Sequence, residues 1–456
     1  MIVADADTPD AELPKTESTG ADLSGADSID IDPPETDQQG GVANCRNDFP
    51  ILNRCVHGDI PIAFLDNAAS AQRPRQVLDA MNRIYEHHYA NVHRGIHVLS
   101  EEATAAYEHA RADVAKFMGA ASSREVIFTA GTTAAINLVA HSFGGSAIGP
   151  GDVVLVTIAD HHANIVPWHQ LAERTGCRVE FLDIDDAFLI DDSVVKDALH
   201  RHNVKMFAFV ATSNVLGTRF PVRRWTKLAH DAGATVLVDA AQAAPAEPID
   251  VQQWDADFVV FSGHKVSGPT GIGVLYGRER LLESMPPFMG GGGMIHRVTT
   301  DGFSCAELPD KFEAGTPPIV EAIGLAAAVN YLSGLGMENI HRHERFLAKR
   351  ADAGLRAIDG VRIVGPTPEH KSGIVSFHMD RPHSHDVAQL LDGHGIAVRA
   401  GHHCTMPLHE RLGLSATTRA SFYAYNTIDE VDRLVDAVGS IRQRFSGPKR
   451  QRKRRG

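Results

Sequence analysis

Strand-like and helix-like stretches alternate along the central part of the chain. Four apolar or β-branched runs end in polar or small residues, namely GDVVLVTIAD (151–160), VKMFAFVAT (204–212), ATVLVDAAQ (234–242) and DFVVFSGHK (257–265). Runs of this kind are typical of buried parallel strands, and ligands collect at the carboxyl ends of such strands. The pattern therefore predicts an α/β fold built on a mostly parallel sheet.

The pattern changes near residue 320. Long helical stretches run to Ala357 and are followed by short strands and further helices. We therefore expect a large domain over residues 47–320 and a smaller C-terminal α/β domain over residues 321–446. In the large domain, residues 100–119 predict a helix with Ser100 as its N-cap.

The two ends of the chain differ in composition from the rest. Residues 1–40 hold eleven Asp or Glu, one Lys and no aromatic residue, and a segment of this kind cannot bury enough apolar surface to fold. We predict a disordered acidic extension over residues 1–46 and a basic tail over residues 447–456. The tail is compatible with an acidic partner, but nothing else resembles a nucleic-acid module, so we expect no nucleic-acid partner.

Composition limits the class of protein. There is no run of 18 apolar residues and no visible secretory signal, so we expect no membrane association. The five cysteines are scattered and never form a C-x-x-C pair, which argues against a disulfide framework or a structural zinc site. These features together predict a cytoplasmic protein.

Polar side chains at the strand ends suggest one cofactor. A lysine at a buried strand end, such as Lys265, is costly unless it is paired, neutral or covalently used, and a Schiff base is one solution. Asp239 ends a neighbouring strand, where a carboxylate suits a pyridinium nitrogen, and Gln242 follows it. His161 also ends a strand, and its imidazole can stack on a flat ring.

A phosphate site completes the set. Thr132 and Thr133 open a helix whose N-terminal N–H groups can bind an anion. Asn214 in ATSNVLG adds a donor near the cofactor or the substrate. A phosphate site, a stacking histidine, a carboxylate for the ring nitrogen and a Schiff-base lysine, in this order, predict pyridoxal 5′-phosphate. We predict no bound metal.

The segment RAGHHCTMPL (399–408) places Cys404 directly behind two histidines. The residues alone leave three interpretations open: a metal ligand, a buried filler and a nucleophile. A metal ligand is the weakest interpretation, because no second pair of ligands lies at a usable spacing.

The chain resembles the cysteine desulfurases of the class V aminotransferase group, specifically the SufS-like (group II) subgroup. The resemblance extends from residue 47 to about residue 445 and rests on these motifs: LDNAASAQRP, NVHRGIH, DHHANIVPW, SNVLGT, VDAAQ, FSGHKVSGPTGIGVLY, KFEAGTP, RAGHHCTMPL and TRASFYAYNT. It implies a fold-type I transferase with a mostly parallel, seven-stranded sheet in the large domain and a smaller C-terminal α/β domain.

The resemblance also implies roles for individual residues. The implied catalytic residues are Lys265, Cys404 and His161. Lys265 would hold the cofactor and move the substrate α-proton, Cys404 would be the sulfur-accepting nucleophile, and His161 would stack on the cofactor ring. The remaining implied contacts are with the cofactor ring (His161, Asp239, Gln242), with its phosphate (Thr133, Ser262, His264, and Thr316 from a second subunit) and with the substrate (Arg419, Asn214, His93, Arg399). The role of Thr316 implies a homodimer with a shared active site.

The implied reaction converts L-cysteine into L-alanine through a persulfide on Cys404. The sulfur would pass to a SufE- or SufU-like acceptor protein for iron–sulfur cluster assembly or a related sulfur transfer. Two alternatives stay open. One is a selenocysteine lyase that uses the same pocket, and the other is a docking or cargo protein that binds through its acidic extension.

Overall fold

The structure is a computed structural model, which describes residues 42–445. Its strands are, in chain order, β1 (Cys55–Val56), β2 (Ile60–Pro61), β3 (Ala63–Phe64), β4 (Val126–Thr129), β5 (Val153–Thr157), β6 (Arg178–Leu182), β7 (Val204–Val210), β8 (Thr235–Asp239), β9 (Phe258–Ser262), β10 (Gly273–Gly277), β11 (Ile295–Val298), β12 (Phe303–Cys305), β13 (Val361–Val364), β14 (Ile374–Met379), β15 (Ile396–Ala397), β16 (Arg399–Gly401) and β17 (Thr417–Ser421).

The helices are, in the same order, α1 (Arg75–Arg83), α2 (Val98–Met118), α3 (Thr132–Val139), α4 (Gly145–Ala147), α5 (Val166–Thr175), α6 (Asp192–Arg201), α7 (Val222–Asp231), α8 (Val251–Trp254), α9 (Glu279–Ser284), α10 (Ile319–Leu335), α11 (Met337–Arg356), α12 (Ser384–Asp392), α13 (Met406–Arg411) and α14 (Ile428–Phe445). The predicted helix over 100–119 is α2. It begins two residues before Ser100, because the His97 ring accepts the Ser100 N–H and acts as the N-cap.

The main sheet has seven strands in the order β4-β10-β9-β8-β7-β5-β6. Strands β5 to β9 pair in parallel, whereas β10 is antiparallel to both of its neighbours. Every residue of β5, β9 and β10 is buried, as expected for strands covered on both faces. The predicted mostly parallel, seven-stranded sheet is confirmed.

A second sheet has four antiparallel strands in the order β13-β14-β17-β16. Its apolar core includes residues of α11, α12 and α14 and also Ala63 and Leu65 near the start of the described chain. Strand β3 explains this inclusion, because it pairs in parallel with β15. The predicted domain boundary between residues 320 and 321 stays a prediction.

Helix α10 is an apolar helix that lies inside the fold. It packs against α1 and α2, and most of its residues are buried. Among residues 42–445 no single helix is long and apolar enough to cross a membrane. Helices α10 and α11 meet that requirement only as a pair, which bends by 76°.

The predicted terminal segments fall mostly beyond the described residues. The basic tail and the acidic extension up to residue 41 lie outside them. The extension was predicted to reach residue 46, and this boundary is wrong, because Val42–Asp48 forms a 3₁₀ helix. Val42, Cys45 and Phe49 are buried there, and this apolar burial holds the segment on the fold.

Candidate active site

A cavity of about 280 Å³ lies at the carboxyl ends of the central parallel strands. Twelve of the predicted site residues line it: Thr132, Thr133, His161, Asn214, Asp239, Gln242, Ser262, His264, Lys265, Arg399, Cys404 and Arg419. A larger groove beside α7 and α8, of about 1850 Å³, is lined by none of them. Parallel strands bring their carboxyl ends to one edge of the sheet, which explains why distant sequence positions meet here.

Lys265 and Asp239 follow neighbouring parallel strands. Lys265 ends a 3₁₀ turn directly after β9, and Asp239 is the last residue of β8. Burial lowers the pKa of Lys265 to about 8, although the charge of Asp239 opposes that shift. Burial likewise raises the pKa of Asp239, opposed by Lys265 and by the Ala241 N–H, which donates to Oδ1 at 2.9 Å. Lys265 can therefore lose its proton near neutral pH, and it lies close to the buried carboxylate of Asp239.

An anion cradle lies at the start of α3. Thr132 donates its backbone N–H to Ser262 Oγ at 2.9 Å, and the two hydroxyl oxygens are 2.7 Å apart. The N-cap residue of α3 is Gly131, which has no side chain to cap the helix and has a φ of 146°. A Cβ atom on Gly273 would lie 2.5 Å from the Gly131 Cα, so both glycines permit this close approach. The exposed positive end of the helix suits a phosphate.

His161 and His264 are neutral imidazoles at the cavity. Burial, with the charge of Lys265 as the next cause, lowers the pKa of each ring to about 4. His161 Nδ1 accepts the Ala163 N–H at 3.1 Å, so its proton is on Nε2. A neutral ring fixed in this way can stack on an aromatic cofactor without adding charge to it.

Asp66 joins two arginines that line the cavity. Its carboxylate accepts from Arg399 Nη2 at 2.9 Å and from Arg419 Nη2 at 3.3 Å, while Arg419 Nη1 donates to the Asn214 carbonyl at 2.9 Å. Burial lowers the pKa of Arg419 to about 10, although Asp66 opposes the shift. Asp66 was not among the residues predicted from the sequence. The available signal was a charged residue directly after a short apolar strand, in LDNAAS.

Unpaired buried atoms test whether a cofactor fits. Within the described chain, Asn214 Oδ1, His403 Nδ1 and Arg419 Nε are buried without a hydrogen-bond partner, and all three residues line the cavity. Buried polar atoms are nearly always paired in folded proteins, and these three atoms are free to bind a ligand in the cavity. With the anion cradle, the neutral histidines and the Asp239–Lys265 pair, the wall fits pyridoxal 5′-phosphate and an amino-acid carboxylate.

Cys404 reaches the same cavity from the second sheet. It follows β16, is solvent-exposed and has a φ of 59°. The loop is tied to the segment that follows β5, because His162 donates its backbone N–H to the Cys404 carbonyl at 2.8 Å. No group of three or more metal-ligating side chains occurs in the part of the chain that the structure describes.

Two predicted residues lie outside the cavity. Thr316 is exposed just before α10, and His93 bonds Glu108 with its Nε2 at 2.9 Å. That bond to Glu108 raises the pKa of His93, despite partial burial of the ring. The structure of one chain therefore does not bring Thr316 or His93 to the other site residues.

The fold and the cavity define a fold-type I, pyridoxal-phosphate-dependent enzyme. The chain belongs to the aminotransferase class-V family, whose model matches residues 63–434. A cysteine desulfurase of Haloferax volcanii is 47% identical over 413 residues, which cover 88% of this chain and 97% of the relative. A probable cysteine desulfurase of Streptomyces coelicolor is 48% identical over 405 residues, which cover 88% of this chain and 97% of the relative.

Solved structures show the same similarity. The cysteine desulfurase CsdA of Escherichia coli, an S-sulfonic acid form, superposes with a TM-score of 0.80 at 40% identity and covers 87% of this chain and 97% of its own. An apo cysteine desulfurase of Thermococcus onnurineus gives a TM-score of 0.83 at 40% identity, with coverages of 88% and 98%. The SufS-like subgroup stays a prediction.

Proposed function

We propose that the chain is a pyridoxal-phosphate-dependent cysteine desulfurase, which converts L-cysteine into L-alanine and takes the sulfur on Cys404. One observation carries the proposal: Cys404, on a loop of the second sheet, lines the same cavity as Lys265 and Asp239 at the ends of the main-sheet strands. An aminotransferase needs no thiol at that place. Relatives named cysteine desulfurase, aligned over 88% of this chain, support the same activity.

Substrate binding is assigned to the arginine wall. The buried Arg419 guanidinium takes the substrate carboxylate, a planar anion that matches its two parallel donors. Asp66 and the Asn214 carbonyl hold that guanidinium in place from behind. Arg399 adds a second positive charge at the mouth of the cavity.

Lys265 and Cys404 divide the chemistry. The cofactor, when bound, supplies an electron sink for the charge that develops at the substrate Cα. Asp239 would pair with the ring nitrogen, His161 would stack on the ring, and the α3 N-terminus with Thr133, Ser262 and His264 would hold the phosphate. Lys265 removes the Cα proton, a role for which its lowered pKa suits it. The Cys404 thiolate then attacks the substrate sulfur, and the Cβ–S bond breaks with its electron pair passing to the substrate carbon. Cys404 is left as a persulfide, and protonation of the substrate carbon gives alanine, which leaves.

The test is alanine release from L-cysteine by Cys404→Ala, with Cys55→Ala as the matched control because Cys55 is another exposed free cysteine. We expect the first variant to lose alanine release and the second to retain it. Unchanged release by Cys404→Ala would sink the assignment. The same variant assayed with L-selenocysteine separates the desulfurase from a selenocysteine lyase, which would still release alanine.

A second copy of the chain completes the site in this proposal. The segment that contains His93 exposes a run of large apolar side chains, with Ile96 98% exposed, accompanied by Tyr85, Tyr89, Val98 and Leu99. Exposed apolar patches of this kind mark protein interfaces. A homodimer that covers this patch would bring Thr316 of one chain to the phosphate of the other, as the resemblance implies.

Subunit complementation tests the shared site. We mix Lys265→Ala chains with Thr316→Ala chains and allow subunits to exchange. In a shared site, the mixed dimer keeps one intact site and regains activity that neither parent has. If Thr316 acts within its own chain, mixing restores nothing, and a monomer in analytical ultracentrifugation would contradict the dimer directly.

The destination of the sulfur is proposed from the exposure of Cys404. We propose that a SufE- or SufU-like acceptor protein in the cytoplasm takes the persulfide sulfur for iron–sulfur cluster assembly. Transfer of ³⁵S from the labelled Cys404 persulfide to a purified acceptor tests the step, and cell fractionation tests the compartment. If the ³⁵S label stays on Cys404 in the presence of the acceptor protein, the proposed sulfur transfer is contradicted.

A further inference from the structure

The loop that carries Cys404 is held in a strained conformation. His403 and Cys404 have φ values of 50° and 59°, in the left-handed region that residues other than glycine avoid. Consecutive residues in that region persist only where surrounding contacts hold them. The contacts that hold this loop therefore decide where the thiol lies.

Those contacts come from the segments that follow β5 and β7 of the main sheet. Asn214 Nδ2 donates to the His403 carbonyl at 2.7 Å, and the His162 backbone N–H donates to the Cys404 carbonyl at 2.8 Å. The His162 ring makes a third contact, because its Nε2 accepts the backbone N–H of Met406 at 2.9 Å. His162 thus holds the loop on both sides of Thr405.

We propose that His162 is a positioning residue for sulfur transfer, whose ring holds the Cys404 loop at the cavity and whose release from Met406 lets the loop carry the persulfide outward. The proposal rests on the proposed desulfurase function. It separates His162 from the adjacent His161, which faces the cofactor site.

The protonation state of His162 agrees with this role. An imidazole nitrogen accepts a hydrogen bond only when it carries no proton. Partial burial and the neighbouring His402 lower the pKa of His162, so Nε2 remains an acceptor near neutral pH. Two other histidines are close to His162: His402, which lies on the Cys404 loop, and His161, which precedes His162 in the chain.

Two substitutions distinguish the ring contact from the backbone contact. His162→Ala removes the acceptor and leaves the backbone N–H in place, whereas the side-chain oxygen of His162→Gln can reach the position of Nε2. His169→Ala is the control, because His169 is exposed on the nearby α5. We measure single-turnover persulfide formation on Cys404, the rate of Cys404 alkylation by iodoacetamide, and deuterium exchange at Cα of L-alanine, which needs Lys265 but no thiol.

We expect His162→Ala to slow persulfide formation about fivefold, the factor that corresponds to one hydrogen bond of about 1 kcal/mol. Alkylation of Cys404 should become faster, because the released loop exposes the thiol more often. His162→Gln should restore both rates to within about twofold of wild type, and Cα exchange should be unchanged in all variants.

Three results would overturn the inference: wild-type persulfide formation in His162→Ala, no rescue by His162→Gln, or a matching loss of Cα exchange. The last result would place His162 in the support of the cofactor site. Failure of the proposed function has a different signature, because the wild-type protein itself would then release no alanine from L-cysteine.

Discussion

Asp66 forms an ion pair with Arg419, a residue that lines the cavity, with Arg419 Nη2 3.3 Å from Asp66 Oδ1. The guanidinium is buried, and Arg399 shares the same carboxylate. Two positive charges converge here on one negative charge. A substrate carboxylate would supply the second negative charge, so the pair holds the arginines ready before the substrate arrives.

Loss of the Asp66 charge should destabilise the fold. Asp66→Asn leaves the buried Arg419 without its counter-ion, and we expect the free energy of unfolding to fall by about 2–3 kcal/mol, reduced from the fully buried case because Asp66 is partly exposed. Urea unfolding measures this change. Asp183→Asn, which breaks the exposed Arg411 pair, should leave stability almost unchanged, and equal losses would contradict the special role of Asp66.

Arg419→Lys should weaken substrate binding. A lysine keeps the charge but loses the two parallel donors and the contact with the Asn214 carbonyl, so we expect KM for L-cysteine to rise about tenfold or more. Steady-state kinetics measure it. Arg350→Lys, at the exposed pair with Asp432, is the control and should keep the wild-type KM. An unchanged KM in Arg419→Lys would remove Arg419 from the substrate site.

Cofactor uptake should depend on the ionisation of Lys265. Only the neutral amine reacts with an aldehyde, and the pKa of Lys265 lies at about 8, so the rate of reconstitution of the apoprotein should rise between about pH 7 and pH 9. The negative charge of Asp239 raises that pKa, so Asp239→Asn should move the inflection to lower pH. Stopped-flow absorbance with pyridoxal 5′-phosphate measures both profiles. A shift to higher pH would contradict the electrostatic coupling.

Asp160 should make stability depend on pH. This buried carboxyl accepts from the Thr157 N–H and hydroxyl at 2.8 and 2.7 Å and from Asn164 at 2.8 Å, yet burial raises its pKa to about 7. Between pH 4 and 7 the folded protein holds a proton that the unfolded chain releases. The contribution of Asp160 therefore falls as pH rises, by at most about 1.4 kcal/mol per pH unit.

The variant Asp160→Asn isolates that effect, since asparagine does not titrate. We expect it to destabilise the protein more at pH 5 than at pH 8, as measured by urea unfolding at both values. The opposite order, with the larger loss at pH 8, would mean that the hydrogen bonds outweigh burial and keep the carboxyl ionised.

The sequence predicted the sheet and most of the cavity for a physical reason. Apolar strands that end in polar residues are a local signal, and parallel strands must bring those ends together, so Lys265, Asp239 and His161 could be placed without coordinates. The Cys404 loop was placed through the resemblance, because no local pattern shows which strand ends it approaches. The role of Asp66 and the contact of His162 with Met406 were missed. Each depends on a hydrogen bond between residues that lie more than 240 positions apart in the sequence.

The sequence predicted where helices and strands occur more accurately than it predicted the residues at which they begin and end. Residues 42–46 were assigned to the disordered extension together with the acidic residues before them, although Val42 and Cys45 are buried in a 3₁₀ helix. Similarly, α2 begins at Val98 because the His97 ring substitutes for the expected serine cap. In both cases a few specific contacts decide the boundary.

The parallel pairing of β3 with β15 has a consequence for biosynthesis. Ala63 is made early, but its partner Ile396 is translated more than 300 residues later. At the roughly 5–20 residues per second of translation, that delay is on the order of tens of seconds, during which an emerging strand lacks its native neighbour. The pairing of β3 with β15 therefore waits for most of the polypeptide, and a ribosome-stalled fragment that ends before residue 396 should retain an early segment open to proteases or chaperones.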